Sequence, residues 1–125
     1  MNVPADLKYA SSHEWARLEG DVVTVGLSDH AQAELTDVVF LELPKVGRRV
    51  QTEESVAVIE SVKAAHDIFA PIAGEIVEIN VPLSEDPAPV NSDPYGEGWL
   101  FRIRIAPGTS LDHLLNAEQY RSEIS

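Results

Sequence analysis

The feature that most restricts how this chain can fold is a series of short β-branched runs, closely spaced and stopped by glycine or proline. Val22, Val23, Val25 and Leu27 follow the turn dipeptide Gly20-Asp21, and the run from Val38 to Leu43 halts at Pro44. Ser55–Glu60, Asp67–Ala70, Ile76–Val81 and Trp99–Ile105 continue the series. Such spacing predicts an all-β domain, a sandwich or barrel. Two segments break the pattern. Ser28–Leu35 reads as a short capped helix between strands. The tail from Ser110 reads as helical, with a second piece opened by Asn116. There Gln119 stands three residues on, as in a capping box, and Tyr120 and Ile124 share a face.

Residues 82–98 hold four of the eight prolines and two of the seven glycines, and read as a long ordered loop. Gly20–Val25 echoes Gly74–Ile79. A true repeat would imply two similar halves packed as facing sheets, although alternating strands produce such echoes by chance. No boundary divides the 125 residues, so one domain is expected over 1–125, with a core at about 7–106 and a helical tail at 110–125.

Charge narrows the partners. Twenty-one acids against nine bases give −12, which disfavours nucleic acid and anionic membrane surfaces. No apolar stretch approaches the ~20 residues needed to span a bilayer. The first fifteen residues lack the pattern of a signal or transit peptide, so a cytoplasmic location is expected. There are no cysteines, which excludes disulfides and thiolate metal sites. The four histidines are scattered without metal-ligand spacing. No nucleophile–base constellation stands out, and a monomer that is not an enzyme is expected.

One residue is unusual in its setting. Lys63, one of three lysines, lies between an apolar run ending near Ile59 and another starting near Ile68. So short a connection is most simply a hairpin, with Lys63 projecting from its tip between Val62 and the small residues Ala64 and Ala65. An exposed tip lysine by itself is an ordinary solvated charge.

The wording around it is not ordinary. Glu60-Ser61-Val62-Lys63-Ala64-Ala65 resembles the lipoyl-lysine motif of the glycine cleavage system H protein family. Ser12-His13-Glu14-Trp15, Val25–Gln32, Val39–Pro44 and Asn91–Leu100 resemble further elements of that family, in the same order. The similarity runs from about Leu7 to Tyr120. Biotin carriers resemble the architecture but place their lysine between methionines. Lipoyl domains of 2-oxo acid dehydrogenases usually carry Asp or Glu directly before it.

The resemblance implies a lipoyl/biotinyl-type flattened barrel or sandwich of two antiparallel sheets. It also implies lipoic acid joined by an amide to Lys63, which takes the formal charge from −12 to −13 by removing one cation. The arm would carry an aminomethyl group from glycine decarboxylase, a pyridoxal phosphate enzyme, to a tetrahydrofolate-dependent aminomethyltransferase. A flavin-dependent dihydrolipoyl dehydrogenase would then reoxidise it. The resemblance assigns contact with the carried group to Ser12, Glu14 and Asp67. Read from the residues alone, Glu14 is equally a surface acid beside Trp15, Ser12 a turn residue and Asp67 a strand start. Glu60 is a candidate mark by which a lipoate ligase or lipoyl/octanoyl transferase tells Lys63 from Lys8 and Lys45, or simply a solvated strand-end charge. Alternatives to the shuttle are a lipoyl donor to other proteins and an unmodified binding module. The family often has glycine at the position of Glu53. A positive φ would be uncomfortable for glutamate, so a different turn is expected at Thr52–Glu54.

Overall fold

A computed structural model describes residues 1–125. In chain order the elements are β1 (Lys8–Tyr9), β2 (Glu14–Glu19), β3 (Val22–Leu27), α1 (Asp29–Leu35) and β4 (Val38–Glu42). Next come β5 (Arg49–Val50), β6 (Ser55–Ser61), β7 (Ala65–Phe69) and β8 (Gly74–Ile79). They are followed by α2 (Pro82–Glu85), α3 (Ala88–Ser92), β9 (Phe101–Arg104) and α4 (Ala117–Ile124). A six-stranded sheet runs β1-β2-β3-β9-β8-β5 and a three-stranded sheet runs β4-β6-β7, all neighbours antiparallel. The all-β, two-sheet expectation therefore stands.

Alternation explains how the sheets stay together. Val23, Val25, Ile76, Phe101 and Ile103 of the large sheet and Leu41, Ile59 and Ile68 of the small one are buried in a common cluster. Each such side chain contributes about 1.5–3 kcal/mol by leaving water. A second cluster of Val3, Leu7, Tyr9, Trp15 and Tyr120 clasps both ends of the chain. Trp15 lies flat over Gly26, its ladder partner, where an added Cβ would strike the indole.

The helix ends follow local chemistry. Ser28 caps α1 by accepting the Ala31 N–H, and the Asn116–Gln119 capping box opens α4 as expected.

Other segments differ from expectation. The stretch 82–98 contains two helical turns, because proline is well suited to a first helical turn, where its missing N–H costs nothing. Asn80 fastens that stretch by donating to the Glu97 and Trp99 carbonyls at 2.8 and 2.7 Å. Asn91 ties it to the end of α1 and the start of β4, donating to the Thr36 carbonyl and accepting from the Val38 N–H. The echoing strands β3 and β8 do not face one another across the core but flank β9 within one sheet. Glu53 does adopt a positive φ of 70°, so the turn keeps its left-handed step without glycine.

A lysine tip and a buried carboxylate as the candidate functional site

Strands β6 and β7 form the expected hairpin, with Val62 and Lys63 at its tip. Ser61 sets the turn. Its side-chain oxygen accepts the N–H groups of Lys63 and Ala64, both at 3.2 Å, while the Ser61 N–H donates to the Ala64 carbonyl at 2.8 Å. A hydroxyl thus stands in for a backbone carbonyl, a local bond that serine makes readily in turns. Lys63 is exposed, and its Nζ donates only a long bond of 3.4 Å to the Glu34 carbonyl near the end of α1.

Beside the tip runs a groove of about 840 Å³, floored by Leu27, Leu35, Ile59 and Ile68 and edged by Ser12, His13, Lys63, His66 and Asp67. Glu14, only 1% exposed, lies behind two of the lining residues, Ser12 and Phe69. The reading of Glu14 as a surface acid is therefore overturned. The two-residue β1 leads into a tight turn at Ala10–His13, and β2 then points the Glu14 side chain inward. Ser12 Oγ donates to Glu14 Oε1, and the Phe69 N–H donates to Oε2 at 3.0 Å. Burial pushes the Glu14 carboxyl up from its ordinary value, and these two hydrogen bonds oppose the shift. Each oxygen retains acceptor capacity, so the pair can receive a cationic donor.

Ser12, Asp67 and Lys63 thus line one groove, and Glu14 is buried behind Ser12. Asp67 is exposed and makes no hydrogen bond or ion pair; it pairs with Val58, one residue out of phase with His66 and Ile59. Glu60 is not drawn in. It sits on the outer side of the small sheet between Phe40 and Ala65. Sequence reasoning missed Ser61, whose signal was a serine just before the tip, and it missed Tyr120. The Tyr120 hydroxyl lies 2.8 Å from His13 Nδ1 and 2.6 Å from Ser28 Oγ.

A two-sheet β-fold that presents a single lysine on a hairpin beside a groove defines a carrier protein of the swinging-arm type. The relatives give the particular family. The profile of the glycine cleavage H-protein matches residues 7–125. A glycine cleavage system H protein of Idiomarina loihiensis is 58% identical over 124 residues, covering 98% of this chain and 96% of that protein. One from Thermus thermophilus is 56% identical over 121 residues, with 97% and 94% covered. The crystal structure of a glycine cleavage system H protein from Mycobacterium marinum superposes with a TM-score of 0.88 at 36% identity, covering 97% of this chain and 98% of that one. The chain belongs to the glycine cleavage H-protein family. It is a carrier of glycine cleavage and not a catalytic enzyme.

Proposed function

We propose that Lys63 carries lipoate through an amide, and that residues 1–125 act as one monomeric cytoplasmic lipoyl-carrier domain. Lipoate, when bound, supplies a dithiolane that takes up a one-carbon amine and electrons together. A lipoate ligase or lipoyl/octanoyl transferase would attach it, reading Glu60 from the outer side of the hairpin. Glycine decarboxylase, aminomethyltransferase and dihydrolipoyl dehydrogenase would then meet the arm in turn.

The observation that carries this reading is an exposed lysine on the rim of a groove that also holds Ser12, the residue hydrogen-bonded to a buried carboxylate. The floor suits an aliphatic arm, and the far edge suits a protonated amine. A lone buried carboxylate is costly, and an arriving ammonium offsets that cost. Ser12 and the Phe69 N–H hold the carboxylate in place before the cation arrives. Asp67 adds a second negative charge at the rim. The apolar floor limits water beneath the carried group.

The test is intact mass with peptide mapping after expression with and without lipoate supply. One lipoyl group on the Lys63 peptide, absent from Lys8 and Lys45, is expected. Lys63→Arg keeps the charge and the fold and should abolish both the modification and carrier activity. An unmodified Lys63 in cells that lipoylate other proteins would overturn the reading.

A further inference from the structure

Three residues have a positive φ without being glycine, and one of them, His13 at 82°, stands between the two residues that clamp each other, Ser12 and Glu14. For a residue with a side chain this conformation is strained and persists only where the surroundings impose it. The surroundings here come from the far end of the chain. The Tyr120 hydroxyl meets His13 Nδ1 at 2.8 Å and Ser28 Oγ at 2.6 Å. Tyr120 is fully buried and stacks on Tyr9 at 4.6 Å with 6° between planes, so its hydroxyl is held in place. The His13 ring also rests 4.9 Å from that of His30, and its carbonyl accepts the Ser28 N–H at 3.0 Å.

We propose that Tyr120 and His13 are positioning residues, through which the tail helix α4 sets the Ser12–Glu14 corner at the groove's rim. The Tyr120 hydroxyl donates to His13 Nδ1 and accepts from Ser28. That bond fixes the left-handed step at His13, and the step fixes where Ser12 and Glu14 point. Burial supports these roles: it lowers the pKa of His13, favouring the neutral acceptor, and pushes Tyr120 up to about 12, keeping the hydroxyl protonated. The inference rests on the reading of Ser12 and Glu14 as the place where the carried group is received.

Hydrogen exchange of the unmodified protein tests it, with Tyr120→Phe, His13→Gly and the double variant. The reporters are the Phe69 amide, bonded to the Glu14 carboxylate, and the Ala10 amide, bonded to the Glu14 carbonyl. In Tyr120→Phe both should exchange about fivefold faster than in the parent after division by the fold-change at the core amide of Ile103, the weight of one hydrogen bond. In the His13→Gly background, where a positive φ carries no strain, the same substitution should have no such local effect. Equal acceleration at Phe69, Ala10 and Ile103, or an equal effect in both backgrounds, would overturn the positioning role. A separate arm distinguishes the underlying reading. If Glu14→Gln leaves the lifetime of the loaded arm unchanged, the assignment of Glu14 fails, whatever the exchange rates show.

Discussion

The two ends of the groove are built in opposite ways. At the hairpin tip Lys63 is exposed and held by one long bond, and a single serine side chain organises the turn. At the corner, Glu14 is buried, takes a donor on each oxygen, and sits beside a histidine fastened to the tail helix. A side chain that must travel gains from few restraints. A receiving site gains from being fixed beforehand, because ordering it on arrival would weaken the contact. The comparison therefore predicts that changes at the corner alter what happens to the carried group, whereas changes in the turn that leave Lys63 in place alter local motion.

With Lys63 in place, the largest effect should come from Glu14→Gln. The amide keeps the shape, with its oxygen on the Phe69 N–H and its NH₂ on Ser12. It can no longer attract a cation, and the lifetime of the loaded arm should fall about tenfold, the weight of one charge-assisted hydrogen bond. The fold itself should gain. Burial raises the folded pKa of Glu14 above its ordinary 4.5, so the folded state binds the proton more tightly than the unfolded one. Its stabilising contribution is complete below pH 4.5 and is lost as pH rises through the raised value. The stability difference between Glu14→Gln and the parent should accordingly be smallest in acid and widen towards neutrality, as denaturant midpoints across pH would show. An unchanged lifetime would remove the functional contrast between the two ends.

Ser61→Ala probes the tip. Losing the acceptor for two N–H groups costs about 1 kcal/mol where water can partly replace it. The amides of Lys63 and Ala64 should exchange about fivefold faster, with core amides unmoved. Spread of that change to Phe69 would show that tip and corner are not independent.

The smallest effect is expected at Glu53, the other strained position near a chain reversal. Its N–H donates to the Ala70 carbonyl at 2.8 Å, but no side chain fastens it as Tyr120 fastens His13. Glu53→Gly should stabilise the protein by about 0.5 kcal/mol, the relief of strain outweighing the added chain entropy. The lifetime of the loaded arm should not change. Chemical denaturation measures the first, and release of the carried group the second.

Sequence pattern was most legible where a strand alternates cleanly or a helix carries its own cap. β3, β8 and β9, the hairpin around Lys63, α1 with Ser28 and α4 with Asn116 were all readable from their residues. β1 and β5 are two residues long and leave no pattern to read. β2 was hidden for a different reason. Its Glu14-Trp15-Ala16 start is buried at three successive positions, so it does not alternate, and an acid occupies one of them. The position that breaks the hydrophobic rule is the one proposed to receive the carried group. The turns α2 and α3 were masked by prolines that both begin helices and interrupt them. The Tyr120–His13 contact joins residues 107 apart, a pairing no local pattern encodes.

The long bond from Lys63 Nζ to the Glu34 carbonyl has one more consequence. The free ammonium is parked against the carbonyl end of α1, whose dipole favours a cation. Acylation replaces that cation with a neutral amide and removes the attraction. Under the proposed reading, the reaction that installs the arm also casts off its mooring.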